Sequence, residues 1–95
     1  METLDFAWDA KKAKSNLKKH GVSFEEARSV FFDESAIEFY DEQHSSADDR
    51  FLLLGLSYKG RLLLICHSYR ETEGVIRIIS ARKATASEAE HYGRE

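Results

Sequence analysis

Val75-Ile76-Arg77-Ile78-Ile79-Ser80-Ala81-Arg82-Lys83-Ala84 is a strongly β-prone run that carries three cations. Thr85-Ala86-Ser87-Glu88 follows at once, with the spacing of a capping box, and opens a short C-terminal helix. A strand that sets arginines among isoleucines needs a use for them, because an unpaired buried guanidinium is costly. The candidates are a carboxylate partner, a protein surface or a phosphate backbone.

Upstream, Phe51–Ser57 and Arg61–Tyr69 are apolar runs separated by Tyr58-Lys59-Gly60, a tight hairpin signal. Ala36–Tyr40 is a shorter candidate strand, and Asp41–Asp49 is a polar loop. Further upstream the period changes to that of helices. Asp9 reads as the N-cap of a helix with Ala10, Ala13 and Leu17 on its apolar stripe, and Gly21 as its left-handed stop. Ser23 and Glu26 form a second capping box, ahead of a helix whose buried face is Phe24, Ala27, Val30 and Phe31. The order predicts an α+β domain spanning residues 1–95. It has an N-terminal helical hairpin, an antiparallel meander of three to four strands and a short C-terminal helix.

Strand parity extends this picture. With an even number of residues in both hairpin loops, Leu63 pairs with Leu56 and Arg82, and His67 pairs with Leu52 and Ile78. One face then carries Arg61, His67, Tyr69 and Arg82 around a leucine patch. The other, with Leu53, Leu64, Cys66, Ala81 and Arg77, packs under the helices. An odd loop flips a strand and undoes the assignment.

Composition bounds the rest. Of 95 residues, 42% are hydrophobic and 33% charged, values of a globular chain. No run of about 18 apolar residues and no cleavable leader is visible, so a cytoplasmic protein without membrane contact is expected. The net charge of −3 argues against a general nucleic-acid binder, but its distribution is uneven. Residues 1–24 hold five lysines against three acids, residues 25–49 hold nine acids against Arg28, and residues 50–95 hold eight cations against five acids.

The chemistry-bearing residues each have a plain reading beside the functional one. Arg61, Arg70, Arg77, Arg82 and Lys83 gather on two neighbouring strands, where they can hold phosphates or pair with the acidic middle. His67 and Tyr69 alternate along one strand, and a histidine there can act as acid or base, or be a satisfied core residue. His20, at a helix end, reads as structural first. Lys18 and Lys19 form part of a solvated face that could also track phosphates. Asp41, Glu42, His44, Asp48 and Asp49 match no closed zinc pattern and read as a solvated acidic loop, so no metal or other cofactor is expected. Cys66 reads as a small buried hydrophobe.

Phe6-Ala7-Trp8-Asp9-Ala10-Lys11 and Asn16-Leu17-Lys18-Lys19-His20-Gly21-Val22-Ser23-Phe24-Glu25-Glu26-Ala27 resemble the opening motif of the BrnT-type toxins. Asp41…His44…Arg50-Phe51 and Ile76-Arg77-Ile78-Ile79-Ser80-Ala81-Arg82-Lys83-Ala84 are similar to that family too, so the resemblance runs from about Phe6 to Tyr92. It implies a RelE-like fold and a metal-independent ribonuclease toxin of a type II toxin–antitoxin pair, blocking translation by cutting RNA. It also implies a ribbon-helix-helix, BrnA-like antitoxin, with a toxin homodimer inside a heterotetramer as one assembly, and operator DNA bound only through the antitoxin. On this chain the matching kinds of residue are Lys19, Arg61, His67, Arg70, Arg77, Arg82 and Tyr92, and our own division of roles takes Arg61, His67 and Arg82 as the catalytic set. Lys19, Arg70, Arg77, Lys83 and Tyr92 are then the RNA-binding set. The rival from a different class is a non-catalytic module that uses its mixed face and acidic loop only to bind another protein.

Overall fold

Asp9 takes extended backbone, and its carboxylate accepts the N–H groups of Lys11 (2.8 Å) and Lys12 (3.1 Å), which starts helix α1, Ala10–His20. Gly21 ends it at φ 69°, with its N–H on the Leu17 carbonyl. In the computed structural model, which describes residues 4–46, 48–70 and 74–93, Ser23 then caps α2, Phe24–Val30. The apolar stripe expected on α1 is not its buried face. Leu17 is exposed, Ala13 is half-buried, and the one buried residue of the helix is Asn16. Its amide donates to the carbonyls of Val22 (2.9 Å) and Ala81 (2.8 Å) and accepts from Ala81 N–H (3.1 Å). A polar side chain therefore fastens α1 to the sheet, and an apolar-period search passes over it.

Five strands follow the order β1-β5-β4-β3-β2, with β1 Asp5–Ala7, β2 Ile37–Tyr40, β3 Phe51–Leu56, β4 Leu62–Arg70 and β5 Val75–Lys83. The expected meander is present as β2 to β5, but the sheet is mixed, because β1 adds to its edge parallel to β5. Three residues without alternation gave β1 no period to detect. The helical hairpin also needs correction. α1 lies against β5, and α2 lies against β3, β4 and β5, so each helix packs chiefly on the sheet. A short helix α3, Ala86–Ala89, follows β5 with both halves of its Thr85–Glu88 capping box formed.

Register differs from the even-loop expectation for a visible reason. Ser57 and Arg61 close the β3–β4 hairpin around three residues, Tyr58, Lys59 and Gly60, with Gly60 at φ 73°. The odd loop pairs Leu63 with Gly55 and His67 with Phe51. On β5, His67 meets Ile78 as expected, but a bulge at Cys66/His67 then shifts Leu63 to Lys83 and Leu64 to Arg82. The helix-covered face thus holds Leu53, Leu63, Ile65, Ile78 and Ala81, packed with Val22, Phe24, Ala27 and Val30. His67 shares this face, whereas Leu64, Cys66 and Arg82 look the other way. Gly55 permits a close approach of the layers. A Cβ there would stand 2.8 Å from Val30 Cγ1 and 2.9 Å from Ala36 Cβ.

Candidate functional site

The face of the sheet without α1 and α2 carries a groove of about 390 Å³, the size of a small-ligand pocket. Leu52, Leu64, Cys66, Ile79 and Ser80 form its floor. Arg82 and Glu88 stand on one rim, and Asp41, Gln43, His44 and Arg50 on the other. A second groove of about 530 Å³, lined by Lys12, Asp48, Arg50, Ser68, Tyr69 and Arg77, shares Arg50 with the first. Register explains the continuity. Leu52 and Cys66 pair, and one step along the same face the pairing of Ser68 with Arg77 brings the row to Arg50.

Arg50 marks the junction. Its Nε is the one buried side-chain nitrogen or oxygen without a hydrogen-bond partner among the described residues. Its backbone is fixed: Ser45 Oγ accepts from Arg50 N–H (2.8 Å) and donates to the Asp41 carbonyl (2.6 Å), while Asp41 N–H donates to the Arg50 carbonyl (2.9 Å). The same closed loop places a 3-10 turn, Glu42–His44. There Asp41 Oδ2 and His44 Nδ1 lie 2.9 Å apart, with the aspartate side chain 9% and the histidine 63% exposed. The loop read as solvated and acidic therefore has a buried carboxylate at its root.

Across the groove, Arg82 makes two parallel 2.8 Å hydrogen bonds to Glu88, which also completes the α3 capping box through Thr85. That fork holds the Glu88 carboxyl down to about 2 and raises the Arg82 guanidinium. Burial pushes the Cys66 thiol up, as does the Asp41 carboxylate nearby, so the floor cysteine is a neutral thiol.

The expected catalytic set does not converge. Arg82 lines the open groove. Arg61 binds Glu26 through Nε (2.9 Å) and Nη2, and its Nη2 also donates to the Gly21 carbonyl (3.0 Å). Glu26 has no exposed surface and accepts from Ser57 Oγ as well (2.7 Å), so Arg61 is a structural ion pair under the hairpin. His67 is fully buried on the helix side, edge-on to Phe31 at 4.8 Å between ring centroids. Its Nε2 faces Glu38 Oε2 (3.0 Å) and the Tyr69 hydroxyl (3.3 Å), which itself donates to Glu38. Burial lowers the His67 pKa against the pull of Glu38. The parity error explains the misplacement, since one residue of register decides the face.

Of the expected RNA-binding set, only Arg77 is among the residues lining the two grooves. Lys19 and Lys83 are exposed but line neither. Tyr92 donates to Asp33 Oδ2 (2.6 Å), tying the C-terminal segment to the α2–β2 connection. The Arg70 side chain lies outside the described residues. Sequence reading passed over Arg50, Lys12 and the Asp41–His44 pair. For Arg50 and the Asp41–His44 pair the signal is the Asp41…His44…Arg50 spacing, which carries the family resemblance but was given no chemistry.

Family comparison agrees with this architecture. The model of the family described as the ribonuclease toxin BrnT of type II toxin–antitoxin systems matches residues 8–88. The chain belongs to the BrnT family. Its structure is similar to the crystal structure of the Brucella abortus ribonuclease toxin BrnT, with a TM-score of 0.67 at 24% identity, covering 87% of this chain and 99% of that one. No curated protein gives a sequence match. Membership in the BrnT family carries an antitoxin partner and an RNA target with it. Among the described residues no helix is long and apolar enough to cross a membrane, and no three His, Cys, Asp or Glu side chains group as a metal site.

Proposed function

We propose that this BrnT-family chain is an endoribonuclease toxin that cuts RNA laid along the two grooves that meet at Arg50. The observation that carries this reading is the continuous groove with Arg50 at its centre, its Nε buried and unpaired, between Arg82 on one side and Lys12 and Arg77 on the other. Four cations along two grooves joined at Arg50 suit a chain of phosphates. Guanidiniums beside an apolar floor suit the charge that builds on phosphorus when a 2′-hydroxyl attacks it. Cleavage is metal-independent on this reading and leaves a 2′,3′-cyclic phosphate and a 5′-hydroxyl. Arg50 and Arg82 stabilise the phosphorane, and Arg77 and Lys12 hold flanking phosphates. Arg82 must exchange its Glu88 partner for phosphate, a swap of one bidentate anion for another.

The antitoxin on this reading is a ribbon-helix-helix protein that represses its own operon, in a complex built on a toxin dimer. The exposed rings of Phe32 and Tyr58 and the acidic run around β2 supply surface for it. The whole acts in the cytoplasm by arresting translation. Expression of the chain alone tests the reading. Growth arrest with fragmented RNA, resistant to a chelator in a purified assay, supports it. Normal growth with intact RNA supports the non-catalytic module instead.

A further inference from the structure

We propose that Asp41 and His44 form an acid–base dyad in the open groove, His44 Nε2 being the proton acceptor for the attacking 2′-hydroxyl and Asp41 its positioning partner. This rests on the nuclease reading above and supplies the base it lacks. The Asp41 carboxylate is nearly buried, and its backbone is fixed at both ends by the Ser45 hydroxyl and the Arg50 carbonyl. A carboxylate set 2.9 Å from Nδ1 makes that nitrogen the N–H donor, which leaves the Nε2 lone pair for the exposed side of the ring. A hydrogen bond to so exposed a histidine contributes little stability, so the fold itself has small need of this geometry.

The other described histidines do not offer this. His67 is buried with Nε2 engaged, and neither His20 nor His91 lines the groove; His91 stacks edge-on to Phe39. The charged and titratable groups sharing the groove with His44 are Asp41, Arg50, Cys66, Arg82 and Glu88. Glu88 is held down by its fork and Cys66 held neutral by burial, so neither competes for the proton near neutral pH.

In the step itself, Nε2 takes the 2′-hydroxyl proton as the O2′–phosphorus bond forms and the phosphorus–O5′ bond breaks. Water protonates O5′, and the hydroxide formed is neutralised by the imidazolium. The products are a 2′,3′-cyclic phosphate, a 5′-hydroxyl and the regenerated imidazole.

The test is cleavage of a single-stranded RNA oligonucleotide by the full chain between pH 5 and 9. In the wild type the rate rises with pH along an acidic limb. His44→Gln keeps the thermal midpoint and KM but loses about 100-fold or more in kcat and loses the limb. Asp41→Asn lowers kcat about 10-fold or more at unchanged KM. Added imidazole restores activity to His44→Ala, which a merely structural histidine would not show. A His44→Gln variant within about twofold of wild type, with the limb intact, overturns the dyad alone. A wild type that cleaves no RNA overturns the nuclease reading and the dyad with it.

Discussion

Glu26 is a fully buried carboxylate whose compensation comes from Arg61 and Ser57. Arg61→Ala is expected to lower stability strongly while leaving cleavage per folded molecule unchanged, measured by denaturant unfolding beside an RNA assay. The Arg61 hydrogen bonds hold the Glu26 carboxyl below its ordinary 4.5. Its stabilising contribution is therefore complete above that value and is lost as pH falls through the lower folded-state pKa. Unfolding midpoints should drop on acidification below pH about 4.5, and Glu26→Gln should flatten that slope. Asn16 is the other residue of this kind. Asn16→Leu strands the Ala81 amide and two carbonyls and is expected to cost about 3 kcal/mol, read from the same curves. In the sequence Glu26 reads as half of a capping box, and Asn16 lies outside the apolar stripe of its helix. Their burial follows from what the sheet presents to them, which no helical period encodes.

The elements themselves were largely legible, because caps act locally. Asp9, Gly21, Ser23 and Thr85 all perform as their residue types require. Half of one box failed, since the Glu26 carboxylate found a guanidinium better than a backbone N–H. Register was the weak point. The three-residue loop, already visible as Tyr58-Lys59-Gly60, turned His67 toward the helices, whereas the bulge at Ile78-Ile79, which re-registers Leu63 and Leu64, has no local signature. Gly55 shows what the layers demand of each other. Gly55→Ala would press Cβ into Val30 and Ala36 and should destabilise by about 1–3 kcal/mol, with α2 pushed off β3. A thermal melt that matches wild type would show that α2 yields freely there.

For the whole molecule, a net charge of −3 conceals a local excess of cations in the second groove, where Lys12, Arg50 and Arg77 stand against Asp48. Binding of single-stranded RNA should weaken with salt, and Lys12→Ala or Arg77→Ala should each lower the slope of log affinity against log salt by about 0.7. Unchanged slopes would take RNA out of the second groove. The catalytic face was legible only as a kind of surface: the β-prone run with its cations was recognised, and Arg82 and Arg77 do reach the open side. Arg50 was not, because the loop that delivers it closes through Ser45 and Asp41, long after any local pattern ends.

All of this depends on one face being able to grip and cut RNA through Arg50. The direct measurement is RNA cleavage by purified Arg50→Ala set against wild type and Lys19→Ala, each checked for an unchanged thermal midpoint. The account predicts that Lys19→Ala cuts at nearly the wild-type rate while Arg50→Ala falls about 100-fold or more. Equal cleavage by Arg50→Ala and wild type would contradict it.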